Sequence, residues 1–210
     1  LRLVGSEMCI RDSAGAGKST LARRLAAEMG YIYVDTGAMF RTIGLYALRK
    51  GVDPKDNAAV NTLLPEIGLR VDCIDGEQHI YLNGEDVSTA IRTEEAGMAA
   101  SAVGANPEVR AFLLELQREQ ARRHSVIMDG RDIGTVVLPN AQVKIYLTAS
   151  SMVRARRRYD ELTAKGETCD LEKIRQDIED RDYRDMHRET SPLKQAEDAV
   201  LVDTLSLIHI

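Results

Sequence analysis

The sequence predicts an α/β fold, a parallel sheet flanked by helices, and three observations support this. Short apolar runs bounded by turn residues recur along the chain, as expected for buried strands. Helical patterns lie between them, and a glycine-rich loop joins the first run to the first helix, as in phosphate-binding loops. The predicted strands are 8–10, 31–34, 126–128, 143–147 and 200–202.

The predicted helices carry recognisable end signals. The first, 19–29, ends at Gly30, and the second, 38–50, ends at Gly51. A third begins at Asn106-Pro107, where an asparagine cap precedes a proline in the first turn. Strand and helix therefore alternate, which is typical of α/β proteins.

One region departs from this alternation. Residues 69–74 and 79–82 read as short strands around a turn at Asp75-Gly76, and Asn83-Gly84 marks a second turn. Such tight turns join antiparallel strands. We therefore predict a small antiparallel insertion outside the parallel sheet.

Two densely charged helices are predicted near the end of the chain, 151–165 and 170–188, joined around Gly166. Arg154 and Arg158 lie one turn apart on the first, while Arg181, Asp185 and Arg188 share one face of the second. A charge run is usually a solvated face. Close to a phosphate-binding loop, we favour an arginine-rich lid over an anionic substrate.

The composition excludes several classes of function. With a net charge of −5 and 4% aromatic residues, the 210-residue chain is not expected to bind nucleic acid. No apolar run approaches membrane-spanning length. Cys9, Cys73 and Cys169 lack metal-binding or CxxC spacing, which favours a reducing compartment. We expect a cytoplasmic protein that does not bind membranes.

The glycine-rich loop matches G-x-x-x-x-G-K-[ST] except at its first position, where Asp12 replaces glycine. In such loops backbone N–H groups surround the nucleotide phosphates, the lysine approaches the β/γ oxygens and the hydroxyl meets Mg²⁺. This assigns Lys18 to phosphate and Ser19 to magnesium. Because Asp12 brings negative charge towards phosphate, we predict weak ATP binding, which Asp12→Gly should raise. The predicted ATP-binding residues are Asp12, Ser13, Ala14, Gly15, Ala16, Gly17, Lys18, Ser19 and Thr20.

Two carboxylates, Asp35 and Asp129, end apolar runs and should lie at the ligand-binding edge of the sheet. Each could direct the water shell of Mg²⁺; the alternative is a helix cap or turn carboxylate. Arg41 and Arg131 follow them closely. Phosphoryl transfer requires aligned substrates and neutralised charge rather than a protein nucleophile, and this set of residues suits it.

Longer motifs make the interpretation more specific, because together they resemble bacterial-type cytidylate kinases, a family of P-loop nucleoside monophosphate kinases. The resemblance spans about 14–204. It implies a five-stranded parallel sheet of P-loop kinase type, a mobile helical lid and an antiparallel insertion that helps to hold the acceptor. The motifs are DTGAMFR at 35–41, YLNGEDV at 81–87, IRT at 91–93, DGRDIGTVV at 129–137 and RDYRD at 181–185.

The resemblance also implies a domain organisation. A single P-loop kinase domain would have its core at about 7–66, 94–150 and 190–204, the nucleotide-monophosphate-binding insertion at about 67–93 and the lid at about 151–189. The chain departs from the family before residue 14, where the family reads Asp-Gly-Pro-Ser-Gly, and after residue 204. Asp12→Gly together with Ser13→Pro and Ala14→Ser would restore that pattern and should raise ATP affinity. We expect 1–13 and 205–210 to be non-native sequence.

Roles for individual residues follow from the same resemblance. Ser101, Arg110 and Asp132 would surround the cytosine ring, where a carboxylate accepts a hydrogen bond from the exocyclic amine that uracil lacks. Asp185 with Arg181 would reach the ribose hydroxyls. Catalytic charge would come from Lys18, Arg131, Arg188, Arg154 and Arg158. The acceptor-binding residues would be Thr36, Arg41, Ser101, Arg110, Arg131, Asp132, Arg181, Asp185 and Arg188.

The implied activity is transfer of the γ-phosphoryl group of ATP to CMP, and to dCMP, by a monomer that uses Mg²⁺ bound with ATP. One alternative is a kinase for another nucleoside monophosphate or small metabolite on the same fold. Another is a catalytically impaired nucleotide-binding module that keeps the acceptor pocket but has lost ATP.

Overall fold

A computed structural model describes residues 7–12, 18–74, 76–187 and 189–203, without the side chains of residues 11, 12 and 18. These residues form two sheets. The strands are β1 (Glu7–Asp12), β2 (Ile32–Asp35), β3 (Leu69–Ile74), β4 (Glu77–Leu82), β5 (Glu85–Asp86), β6 (Val126–Gly130), β7 (Val143–Thr148) and β8 (Val200–Asp203).

Five of the strands form the predicted parallel sheet, in the order β2-β6-β1-β7-β8. The α/β prediction is therefore confirmed. The first strand was predicted too short, because it extends past its apolar residues to Asp12. Parallel pairing with β6 on one side and β7 on the other supplies backbone hydrogen bonds to the polar residues as well.

Helices connect the strands, and most begin at a side-chain cap. Asp35, Asp56, Thr93, Asn106 and Ser150 each accept a hydrogen bond from a backbone N–H in the first turn. The helices are α1 (Lys18–Met29), α2 (Thr36–Arg49), α3 (Asn57–Leu63), α4 (Glu94–Val103), α5 (Pro107–Arg123), α6 (Ser151–Ala164) and α7 (Leu171–His187). The predicted end of the first helix is confirmed by Gly30, whose φ of 66° suits glycine.

The predicted antiparallel insertion is confirmed as a separate sheet in the order β3-β4-β5. Leu69 pairs with Leu82 and Ile74 with Glu77, so β4 begins two residues earlier than predicted. Val71, Ile80 and Leu82 pack into the main core beside α2, which fixes the small sheet against the large one.

The core has a part on each face of the large sheet. One cluster includes Val34, Met39 and Met128, and the other includes Ile10, Ile127 and Leu147. Alternate residues of β6 thus face opposite sides. The helices α2 and α4 pack closely, since a methyl group at Gly44 would lie 2.7 Å from Ala99 Cβ. Among the described residues, no helix is long and apolar enough to cross a membrane.

Candidate active site

A cleft of about 220 Å³ lies at the carboxyl ends of β2 and β6. Parallel strands bring their ends to one edge of the sheet, so residues distant in sequence meet there. Most of the predicted acceptor-binding residues line this cleft, together with both predicted carboxylates and the predicted magnesium ligand Ser19: Ser19, Asp35, Thr36, Arg41, Ser101, Arg110, Asp129, Arg131, Asp132, Arg181 and Asp185.

Two hydroxyl groups hold the buried carboxylate of Asp129. Ser19 Oγ donates to Asp129 Oδ2 at 2.9 Å, and Tyr33 Oη donates to the same oxygen at 2.9 Å. Burial first, and then the negative charge of Asp129, raise the pKa of Tyr33, so its hydroxyl remains a donor. The Asp129 carboxylate is thereby fixed beside the start of α1.

Asp35 caps the start of α2. Its Oδ1 accepts from the backbone N–H of Ala38, and its Oδ2 accepts from Arg41 Nη2 at 2.6 Å. Thr36 Oγ1 donates to the carbonyl oxygen of Asp129 at 2.8 Å, which joins β2 to β6 at this edge. The predicted alternative for Asp35, a helix cap, is therefore what the structure has.

A buried ion pair forms the far wall of the cleft. Arg110 Nη2 donates to Asp132 Oδ2, and only 9% and 10% of the two side chains are exposed. Arg110 Nη1 also donates to the carbonyl oxygen of Gly104 at 2.7 Å, and its guanidinium lies 5.3 Å from the centre of the Phe40 ring. Arg110 is thus held by a carboxylate, a carbonyl and an aromatic ring.

The backbone beyond Asp132 is held by a π-helical turn, Ile133–Val137. The carbonyl oxygen of Asp132 accepts from Val136 N at 2.8 Å. Arg118, on α5, donates to the carbonyl oxygens of Val136 and Val137 at 3.0 and 3.1 Å. This turn fixes the direction in which the Asp132 side chain enters the cleft.

A second ion pair links Arg131, the residue after β6, to the α7 helix. Arg131 Nε donates to Asp185 Oδ2 at 2.9 Å, with both side chains largely buried. Arg181 lies one turn before Asp185, and its pKa is lowered, first by burial and then by the nearby charge of Arg131. Two guanidinium groups therefore face the cleft close together.

The arginines of the cleft retain unused hydrogen-bond donors. The buried Nε atoms of Arg41, Arg110 and Arg181 have no hydrogen-bond partner in the described part of the chain. A guanidinium carries five N–H donors in a fixed planar arrangement, which suits phosphate oxygens. The guanidinium groups of Arg41, Arg131 and Arg181 line the cleft, which therefore suits an anion with several oxygen acceptors.

Some of the predicted residues lie outside the cleft. Arg154 is buried, donating from Nη2 to Asp182 at 2.6 Å and from Nε to the carbonyl oxygen of Ala149. Arg158 is an exposed residue that pairs with Glu161 at 2.9 Å. Thr20 is exposed in the first turn of α1. The structure describes neither Arg188 nor residues 13–17, nor the side chains of Asp12 and Lys18.

Sequence reasoning missed several residues that shape the site, among them Tyr33, Phe40, Gln78 and Arg118. Tyr33 could have been found, because residues two apart on a strand share a face and Tyr33 precedes Asp35 by two. Phe40 lies within the quoted DTGAMFR motif. Gln78 and Arg118 act through contacts that span 43 and 18 or 19 residues, which no local pattern reveals.

The cytidylate kinase family matches residues 8–209, nearly the whole chain. The chain belongs to this family. The family's motifs that carried the sequence prediction, DTGAMFR and DGRDIGTVV, contribute the cleft residues Asp35, Arg41, Asp129 and Asp132. The resemblance predicted from the sequence is therefore confirmed.

Three curated relatives illustrate the family. The chain is 50% identical to a cytidylate kinase of Lactobacillus gasseri over 201 residues, covering 96% of the chain and 87% of the relative. It is 46% identical to one from Caldicellulosiruptor bescii, covering 95% and 88%. The cytidylate kinase of Leuconostoc mesenteroides is 50% identical, over 94% of the chain and 88% of the relative.

The residues beside Asp129 fit a magnesium ion that arrives with a nucleotide. The available donors are hydroxyl and carboxylate oxygens, which this hard cation prefers. No group of three or more His, Cys, Asp or Glu residues that could hold a metal occurs within the described ranges. A site with few protein ligands suits Mg²⁺, which usually keeps waters and binds substrate phosphates.

Proposed function

We propose that this member of the cytidylate kinase family transfers the γ-phosphoryl group of ATP to CMP, and to dCMP, giving ADP and CDP or dCDP. The observation that carries the proposal is the buried Arg110–Asp132 pair in the wall of the cleft, with Ser101 also lining it. A carboxylate and a guanidinium side by side offer an acceptor and donors to one ligand.

Such a pair can distinguish cytosine from uracil. Asp132 would accept from the exocyclic amine of cytosine, while Arg110 and Ser101 would donate to its ring nitrogen and carbonyl oxygen. Uracil presents a carbonyl oxygen where cytosine has the amine, so it would face the Asp132 carboxylate without a donor. Sites that hydrogen-bond a substrate group discriminate strongly against analogues that lack it.

The remaining cleft residues suit the rest of a nucleoside monophosphate. Arg41 and Arg131, together with the predicted Arg188, would bind the acceptor phosphate, and Thr36 lies beside them. Arg181 and Asp185 would contact the ribose. We propose that these residues align the acceptor for in-line attack, the main requirement of phosphoryl transfer.

On the donor side, Ser19 and Asp129 are the residues we propose to hold Mg²⁺, since Ser19 Oγ lies 2.9 Å from Asp129 Oδ2 at the start of α1. Magnesium would neutralise charge on the transferred phosphoryl group. The predicted Lys18 would approach the same phosphates. Of the two lid arginines, Arg158 is the better placed to swing towards substrate, because it is 44% exposed and its pair with Glu161 lies at the surface.

An acceptor panel tests the proposal. Purified protein with ATP and Mg²⁺ would be offered CMP, dCMP, UMP, AMP and GMP, and ADP release measured with a coupled assay. We expect CMP and dCMP to be preferred over UMP by at least about a hundredfold in kcat/KM, because Asp132 loses its donor with uracil. A preference for UMP or a purine nucleotide would contradict the proposal.

Calorimetry distinguishes a kinase from the alternative, a catalytically impaired nucleotide-binding module. Binding of CMP together with binding of ATP supports a kinase, whereas binding of CMP alone supports a module whose altered loop no longer holds ATP. The Asp12→Gly, Ser13→Pro, Ala14→Ser variant provides the matched comparison. Equal ATP affinity before and after these changes would contradict the predicted effect of Asp12.

A further inference from the structure

The amide side chain of Gln78 connects the small sheet to the edge of the large one. Gln78 lies on β4, and its Oε1 accepts from the backbone N–H of Asp35 at 2.6 Å. Its Nε2 donates to the carbonyl oxygen of the same residue at 3.2 Å. One side chain therefore satisfies both backbone groups of Asp35.

These two bonds lie at an exposed edge of the large sheet. β2 is the outermost strand, paired only with β6 in the sheet order. Ile32 N bonds to Ser125 O on the inner side, and alternate residues of a parallel strand point their backbone groups to opposite sides. The backbone groups of Asp35 thus face outward. Backbone N–H and C=O groups at a sheet edge cost free energy when they are partly buried and unpaired, and the Gln78 amide pairs with both of those of Asp35.

Asp35, the residue to which Gln78 bonds, also orients Arg41. Asp35 Oδ2 accepts from Arg41 Nη2 at 2.6 Å, while Asp35 Oδ1 caps α2 through Ala38 N. The packing is close, because a methyl group at Gly37 would lie 3.1 Å from Asp35 Oδ1 and 3.2 Å from Arg41 Nη1. A shift of the Asp35 backbone would therefore move the Arg41 guanidinium.

We propose that Gln78 is a positioning residue for the acceptor phosphate: it couples the antiparallel insertion, through Asp35, to the guanidinium of Arg41. The inference rests on the proposed function, which gives Arg41 the acceptor phosphate to bind. Gln78 does not line the 220 Å³ cleft; it lines the adjoining cavity of about 510 Å³, which shares Asp35 and Arg41 with the cleft. Its effect would be confined to acceptor binding, because the ATP side of the site is built on Ser19 and Asp129.

The first test replaces Gln78 by methionine, which keeps the length of the side chain but neither hydrogen bond. The KM for CMP should rise about five- to tenfold, as expected for loss of two hydrogen bonds, while kcat and the KM for ATP change less than twofold. Gln78→Asn, whose side chain is one methylene too short to reach Asp35, should raise the KM for CMP in the same way. Gln176→Met is the matched control, since Gln176 bonds only to Asp180 on the exposed face of α7 among the contacts described.

A double-mutant cycle distinguishes positioning from a general loss of stability. If Gln78 acts through Arg41, Gln78→Met should add little to the KM for CMP in an Arg41→Met background. Independent effects that multiply would overturn the proposal, as would an unchanged KM for CMP in both Gln78 variants. Wild-type turnover of CMP tests the proposed function separately. If turnover were absent, calorimetric CMP affinity of the same variants would still decide the role of Gln78.

Discussion

The cleft and the α6–α7 helical pair are both rich in arginine, but the two regions use it differently. In the cleft, Arg110 pairs with Asp132 and Arg131 with Asp185, partners 22 and 54 residues apart, and all four side chains are largely buried. On α6, Arg156 pairs with Asp160, one turn away, and both side chains are more than half exposed.

Buried ion pairs between distant residues and exposed pairs one helical turn apart differ in what they contribute. An exposed pair one turn apart contributes little, because water screens it and long side chains lose freedom in forming it. A buried pair contributes specificity, because removing one partner leaves a charge without compensation in a poorly polar environment. Two of the buried pairs, Arg110–Asp132 and Arg131–Asp185, lie in the cleft.

Arg154 lies on α6 but belongs to the buried class. Its partner Asp182 is on α7, 28 residues away, and the Arg154 side chain is only 6% exposed. This pair joins the two helices, whereas the predicted role was contact with substrate. In this conformation Arg154 stabilises the helical pair, and its predicted approach to the phosphoryl group would require the pair to open.

The largest expected effect comes from breaking the Arg154 pair. Arg154→Ala should lower the free energy of unfolding by about 3–5 kcal/mol, because Asp182 is left as a buried, unpaired carboxylate. Arg158→Ala, which removes an exposed pair on the same helix, should cost less than about 1 kcal/mol. Urea denaturation followed by circular dichroism measures both. Equal losses would show that burial does not distinguish the two arginines.

The next effect concerns the pair in the cleft wall. Asp132→Asn should lower kcat/KM for CMP about a hundredfold, roughly 3 kcal/mol, because Arg110 loses its countercharge and the base loses a charged acceptor. Asp160→Asn on α6 is the matched control and should leave kcat/KM unchanged within about twofold. Steady-state kinetics with CMP decide the matter. A small loss of kcat/KM in Asp132→Asn would show that this ion pair does not bind the acceptor.

The smallest effect concerns the hydroxyl of Tyr33. Tyr33→Phe should reduce kcat about fivefold, since one hydrogen bond to Asp129 is worth about 1 kcal/mol. It should also raise the Mg²⁺ concentration needed for half-maximal rate. Tyr46→Phe, which loses a bond to Glu66 away from the cleft, is the control. If both variants kept full activity and the same Mg²⁺ dependence, Tyr33 would have no role beyond packing.

Tyr33 also predicts a dependence on alkaline pH. The pKa of Tyr33 is raised in the folded protein, so the folded state retains its proton at a pH where the unfolded chain releases it. The contribution of Tyr33 to stability is therefore complete below about pH 10 and is lost as pH rises further. Tyr33→Phe should show a shallower loss of stability above about pH 10. Parallel unfolding curves for the two proteins would contradict this.

Much of the fold was predictable because its signals are local. The apolar runs, the glycines that end helices and the Asn106-Pro107 start each depend on neighbouring residues alone. The length of β1 was not predictable, because its polar end, Arg11 and Asp12, is held by pairing with β6 and β7 rather than by its own sequence. The π-helical turn after Asp132 likewise depends on Arg118, which is distant in sequence.

The candidate site likewise combines residues that the sequence predicted with contacts that only the structure shows. Motifs quoted from the sequence supply Arg41, Asp129 and Asp132, and the predicted clustering of these residues at one edge of the sheet matches the cleft. The choice between metal-facing carboxylate and helix cap was left open for both Asp35 and Asp129. In the structure Asp35 is a helix cap, whose oxygens accept from Ala38 N and Arg41, while its role towards Mg²⁺ stays a prediction.

The sequence by itself determined the fold class, the family and the residue types that meet at the sheet edge, because helix and strand periodicity and contiguous motifs are written in neighbouring positions. Only the tertiary structure decided which charges are buried together. It paired Arg110 with Asp132, placed Arg154 between two helices and joined Gln78 to Asp35. Those contacts form when distant segments pack, and burial then determines how strongly each one acts.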